Sequence, residues 1–233
     1  MKEVLILKLS RHDHCLRKFD MFIDSMTKYR PKSLNEFLFP NSESKELVEA
    51  YASGEINKSL ILHGTSGCGK SLLQELIPNT IEKSIARLQK IRCADIKKAS
   101  DVHAHYSKNK HFDHLFRDNE HYNYIIIEEF LITNQRISDA FKIEMEKNRG
   151  VDLTIISTNQ FNKVDVGILS RSLDIELIAC EPNQFFNHAK SIFDRENVHI
   201  EDQVLMKCLD VTYTLHQDNR KYYDAIDALF RKL

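Results

Sequence analysis

Short apolar runs alternate along this chain with stretches in which apolar residues recur at helical spacing. Ser59-Leu60-Ile61-Leu62-His63 and Tyr124-Ile125-Ile126-Ile127 are continuous runs of strand length, as strands buried on both faces require. Val151 to Asn159 is a third. Ile85 to Ala94, with Ala86, Leu88 and Ile91 apolar among charged residues, reads as a further strand, and Ile175 to Ile178 as the last. Between them fall helical segments: Ser44 to Tyr51, Leu72 to Ile77 with Pro78 expected to stop it, and Gln135 to Asn148. In the last of these, Ile137, Phe141 and Met145 stand at four-residue steps, and Gly150 is placed to end the helix. Beyond Pro182 the pattern is helical only, over Asn183 to Glu196, Asp202 to Val211 and Arg220 to Leu233. The expected architecture is an α/β doubly wound parallel sheet over residues 28–181 and a small all-helical domain over 182–233. Residues 1–27 form an extension whose pattern says little.

One loop carries chemistry. Gly64-Thr65-Ser66-Gly67-Cys68-Gly69-Lys70-Ser71 fits G-x-x-x-x-G-K-[ST] in full, between a strand and a helix, as a phosphate-binding loop must. The glycines let backbone amides wrap a β-phosphate, and the following helix adds its positive N-terminal end. Lys70 would reach the β- and γ-phosphates of ATP, and the Ser71 hydroxyl would hold Mg²⁺. The run ending Glu128-Glu129-Phe130 then delivers two carboxylates at the C-terminal end of a central strand, beside that loop. Glu128 would hold the Mg²⁺ water shell, and Glu129 would orient and polarise the attacking water.

Composition narrows the class without choosing a partner. The chain has 233 residues, 42% hydrophobic and 29% charged, enough for a core that needs no staples. No apolar stretch approaches the roughly 18 residues that would span a bilayer, and the first residues are too charged for a secretory signal. Cytoplasmic residence is the expectation, or nuclear residence in a eukaryotic or viral setting. The five cysteines are scattered, with no C-x-x-C pair, so neither a disulfide framework nor a zinc ribbon is indicated. Cys68 lies inside the loop, where alkylation is expected to block nucleotide binding. Arg11-His12-Asp13-His14-Cys15 reads as a solvated polar turn rather than a metal site. The stretch holding Lys97, Lys98, His103, His105, Lys108, Lys110, His111, His114 and His121 reads first as a solvated helix and loop, then as a local basic patch, with zinc binding the less expected alternative. With a net charge of −1, any polyanion must be met by such a patch.

Lys28-Tyr29-Arg30-Pro31-Lys32-Ser33-Leu34-Asn35-Glu36-Phe37, followed by the loop, resembles the opening of the replication factor C and bacteriophage clamp-loader ATPases of the AAA+ family. The resemblance covers about residues 28–233. It implies the P-loop AAA+ fold with a helical lid, and places Tyr29, Arg30 and Pro31 near the adenine. It also implies a sensor at the end of the strand closing on Asn159, contacting the attacking water or the γ-phosphate. Ser170-Arg171-Ser172 resembles the family's Ser-Arg-Cys motif, with serine in place of cysteine, which makes Arg171 a finger acting in trans on a neighbouring subunit's nucleotide. Asp218-Asn219-Arg220-Lys221 resembles the second sensor, Gln217 replacing a glycine, so that Arg220 would touch the γ-phosphate from the lid. The family usually has aspartate where Glu128 stands, and continues into a helical collar where this chain ends. The implied activity is ATP hydrolysis by a homo- or hetero-oligomer that meets DNA and a replication partner, a clamp or a helicase, without a membrane. The Ser157-Thr158-Asn159 ending and the Glu128-Glu129 pair are also similar to the helicases of small DNA and RNA viruses. A nucleotide-switched module acting on a protein partner is the third expectation.

Overall fold

The computed structural model describes residues 24–82, 85, 87–108, 122–147 and 149–232. Arg11 to Cys15, Lys110, His111, His114 and His121 lie outside them. Five strands make one parallel sheet: β1 (Ser59–Gly64), β2 (Leu88–Arg92), β3 (Asn123–Glu128), β4 (Asp152–Thr158) and β5 (Ser172–Leu177), in the order β2-β3-β4-β1-β5. The three inner strands carry the apolar runs and are buried on both faces.

Period-2 alternation sends their side chains into two cores. Ile61, Ile125, Ile127 and Ile156 face one layer, packed by Val102 and Tyr106 of α4 (Ala99–Lys108) and Ile137, Phe141 and Met145 of α5 (Gln135–Lys147). Leu60, Leu62, Tyr124 and Ile155 face the other. There α2 (Ser42–Ala52) supplies Val48 and Tyr51, and α3 (Lys70–Ile81) supplies Leu73, Leu76 and Ile77.

Three expected boundaries move. Helix α3 runs through Pro78 to Ile81; the proline forfeits one bond to the Gln74 carbonyl, but its ring is buried, and Glu82 N donates to the Pro78 carbonyl at 3.0 Å. Strand β2 is only Leu88–Arg92, because among the described residues it has one neighbour and it buries Ile91 alone. Strand β5 begins at Ser172, where pairing with Ser59 recruits polar residues that show no apolar run.

A short helix α6 (Val166–Leu169) leads into β5. The lid follows as α7 (Pro182–Arg195), α8 (Asp202–His216) and α9 (Asn219–Phe230), around Phe185, Ile192, Phe193, Leu205, Leu209 and Tyr222. The four-residue helix α1 (Ser25–Lys28) crosses the expected division at residue 28 and docks on this lid, with Ser25 N donating to the Asp227 carboxylate at 3.3 Å. Among the described residues no helix is long and apolar enough to cross a membrane.

Where β1 meets the loop, Gly64 has φ +129°, and a Cβ there would lie 1.9 Å from the Leu177 carbonyl oxygen of β5. Gly64→Ala should therefore cost about 3 kcal/mol or more in urea unfolding, combining backbone strain with overpacking against an immovable carbonyl. Gly54→Ala is the control: φ is +84° but the space is open, and a loss of about 1 kcal/mol is expected. Equal losses at the two positions would show that the strand pair yields freely at Gly64.

Candidate functional site

The first wall of the site is the loop itself. Gly69, at φ +96°, precedes α3, and no side chain caps that helix, so its first amides face the loop. The Lys70 ammonium, buried, donates to the carbonyls of Gly64 (3.0 Å) and Thr65 and lies 3.5 Å from the Cys68 sulfur. Cys68 is itself buried, and burial pushes its thiol pKa up despite the nearby Lys70. A protonated, covered thiol is a poor nucleophile, so alkylation of Cys68 is slow.

The second wall is the C-terminal end of β3 and β4. Phe130 N donates to the Ser157 carbonyl at 2.8 Å, and the Thr158 hydroxyl to the Phe130 carbonyl at 2.7 Å. Immediately before the doubly held Phe130, Glu129 has φ +53°, a region that costs a non-glycine residue about 1–3 kcal/mol. Asn159 follows directly, and both side chains line the cleft.

The third wall is the lid. Arg220, in the first turn of α9, donates to the Ser66 hydroxyl at 2.8 Å and to the Asp218 carboxylate at 2.8 Å. That carboxylate caps α9 and packs on the loop so closely that a Cβ on Gly67 would lie 1.7 Å from its oxygen. Burial raises the Asp218 carboxyl, but the Arg220 bonds outweigh it and hold the pKa below its usual value. Pro31, Phe37, Leu38, Phe185 and Tyr223 give the cleft an apolar end, and its cavity volume is about 390 Å³.

One cleft thus gathers Arg30, Pro31, Ser66, Gly67, Cys68, Gly69, Lys70, Ser71, Glu129, Asn159 and Arg220. Gly64 and Thr65 stand at the base of the loop, holding Lys70. Tyr29 does not reach the cleft lining; its hydroxyl is bound to the Glu196 carboxylate of the lid, and its pKa is raised by burial and by that bond. Arg171 is elsewhere. It donates to Glu146 of α5 at 3.0 Å and to the Gly167 carbonyl at 2.8 Å, in a separate polar pocket at the N-terminal edge of the sheet with Lys58, Ser59 and Arg149. Ser59 pairs with Ser172 and Gly64 with Leu177, so five strand residues, about 16 Å, separate Arg171 from its own loop.

For Mg²⁺ the two expected ligands differ. Ser71 lines the cleft and offers a hard oxygen. Glu128 does not fit: it is absent from the lining, and its carboxylate lies 3.0 Å from the Lys90 ammonium. His103 pairs with Glu144 at 2.7 Å and His105 with Gln89 at 2.6 Å, and the described residues hold no His, Cys, Asp and Glu cluster able to bind a metal.

Sequence reasoning missed Asp218, Phe37 and Lys90. An N-cap signal, Asp before an apolar helical pattern, marks the position of Asp218 but not its contact with Gly67. Phe37 closes under the loop, where a Cβ on Gly69 would meet its ring at 2.7 Å, and nothing local announces that.

No family model matches the chain. It is 25% identical over 218 residues to DNA polymerase III subunit gamma/tau of Mycoplasma genitalium, an alignment covering 85% of this chain and 36% of that protein. The chain therefore spans about a third of that relative's length. The Thermotoga maritima RuvB Holliday junction branch migration motor superposes with a TM-score of 0.58 at 18% identity, over 88% of this chain and 73% of that one. A DNA replication initiation factor does so with a TM-score of 0.60 at 16% identity, over 88% and 65%. The two structural likenesses show the fold, a parallel α/β sheet with surrounding helices.

Proposed function

We propose that this chain is an AAA+ ATPase that hydrolyses ATP to ADP and phosphate as an oligomer, and serves DNA replication as a clamp-loader-like or helicase-loader-like factor. The observation that carries the reading is the meeting of Lys70, Glu129, Asn159 and Arg220 in one cleft while Arg171 stands at the opposite edge of the sheet. A cleft complete but for one cation, and that cation facing outward elsewhere, suits active sites shared between subunits. The partial similarity to DNA polymerase III gamma/tau supports the replication setting.

In this reading the apolar end takes the base and the amides of Gly67 to Ser71 take the β-phosphate. The Lys70 ammonium exchanges the carbonyls of Gly64 and Thr65 for β- and γ-phosphate oxygens. A divalent cation bound with the nucleotide would neutralise phosphate charge, with the Ser71 hydroxyl as its protein ligand. Glu129 accepts a hydrogen bond from the attacking water and polarises it, and Asn159 fixes that water or the γ-phosphate. Arg220 exchanges Ser66 for the γ-phosphate, so nucleotide state is felt by the lid through α9. Positioning and electrostatics supply most of the acceleration.

The test is the steady-state ATPase rate as a function of protein concentration at low salt, with and without primer-template DNA. A rate per subunit that rises with concentration, and again with DNA, is expected. A flat rate indifferent to DNA would replace this reading with that of a module switched by a protein partner. Processive duplex unwinding would replace the loader with a helicase.

A further inference from the structure

Four charges of alternating sign cross the face of the sheet that α3 covers. Arg30 pairs with Glu75 of α3, Glu75 lies 3.1 Å from the Lys90 ammonium of β2, and Lys90 lies 3.0 Å from Glu128 at the end of β3. The register explains the reach. Lys90 stands opposite Ile126, and Glu128 comes two residues later on the same face, within span of the lysine stem. Glu75 follows Ser71 by one helical turn, on the same side of α3. A single pair at these exposures, 42% for Lys90 and 20% for Glu128, would do little in water. Here one ammonium serves two carboxylates, and the network begins at Arg30, which lines the cleft.

We propose that Lys90 withholds Glu128 from the divalent cation that accompanies the nucleotide, and thereby sets how tightly that metal is bound. The inference rests on the reading of the cleft as an ATP site. A carboxylate already bonded to an ammonium offers a metal less negative charge and fewer lone pairs, so Ser71 remains the protein's metal ligand. Lys90 acts as a positioning residue, through Glu128 and without touching the nucleotide.

The measurement is Mn²⁺ binding to the full chain saturated with a non-hydrolysable ATP analogue, read from the loss of the free Mn²⁺ paramagnetic resonance signal. Lys90→Gln should tighten Mn²⁺ binding by about threefold or more, the size expected when one competing charge is removed. Glu128→Gln alone should leave it within about twofold, and the double variant should lose the gain. Lys90→Arg, which keeps both ion pairs, should behave as the parent and guards against a fold effect. Weakening by about tenfold in Glu128→Gln, or no change in Lys90→Gln, overturns the proposal. Ser71→Ala separates the two levels: it should weaken Mn²⁺ by about tenfold. If it is silent, the metal does not sit at this loop, and the ATP-site reading falls together with the proposal. If Ser71 responds and Lys90 does not, the proposal alone falls.

Discussion

Arg171→Ala should lower ATP turnover per subunit by about 10³–10⁵-fold, the range for losing an arginine that stabilises charge on a transferring phosphoryl group. Nucleotide affinity of the isolated subunit should change little, because Arg171 stands about 16 Å along the sheet from its own loop. The decisive form of the experiment is a mixture. Arg171→Ala protein keeps an intact cleft and lacks the finger; Lys70→Ala protein keeps the finger and lacks a working cleft. Neither turns over alone, but at each junction where the Lys70→Ala subunit presents its arginine to an intact cleft, hydrolysis should return. Recovery to a substantial fraction of the parent rate, rising with total concentration, is the expected result. An assembled mixture that stays inactive would remove the trans assignment. The contacts of Arg171 favour the assignment because Glu146 and the Gly167 carbonyl hold its guanidinium at the protein surface rather than in the interior.

Glu129→Gln should reduce hydrolysis by about 10²–10⁴-fold while leaving nucleotide binding within a small factor, since an amide keeps the shape but no longer accepts a proton from water. Single-turnover kinetics with a fluorescent nucleotide would separate the two effects. The backbone at Glu129 adds a second, opposite expectation. At φ +53° a glycine would be the comfortable residue, so Glu129→Gly should unfold at higher denaturant even as activity is lost. A variant both inactive and more stable is the signature of strain held at a working site. If Glu129→Gln retains near-parent turnover, the water is activated by another group and the assignment fails.

The loop and the inner strands were legible because their information is local. Eight residues at fixed spacing between an apolar strand and an apolar helix leave few alternatives, and the structure draws Ser66 to Ser71 into the cleft with Glu129, Asn159 and Arg220. The residues that moved share a different property. The clamp-loader resemblance places Tyr29 near the adenine with Arg30 and Pro31, but its hydroxyl binds Glu196, 167 positions away in the chain. Glu128 follows Ile127 as a metal ligand would, yet it faces Lys90 because β2 lies beside β3 in the sheet. The start of β5 was illegible for the same reason, since Ser172 becomes strand only by pairing with Ser59.

By itself, then, the sequence determined the sheet's buried strands and the glycine-rich loop between strand and helix, because apolar period and glycine placement act through the nearest few residues. Tertiary structure alone decided which carboxylate faces the cleft, which arginine faces away from it, and that Asp218 and Phe37 close on Gly67 and Gly69. Those outcomes depend on strand order and lid docking. Each is a contact between residues far apart in the chain, whose partner no local spacing records.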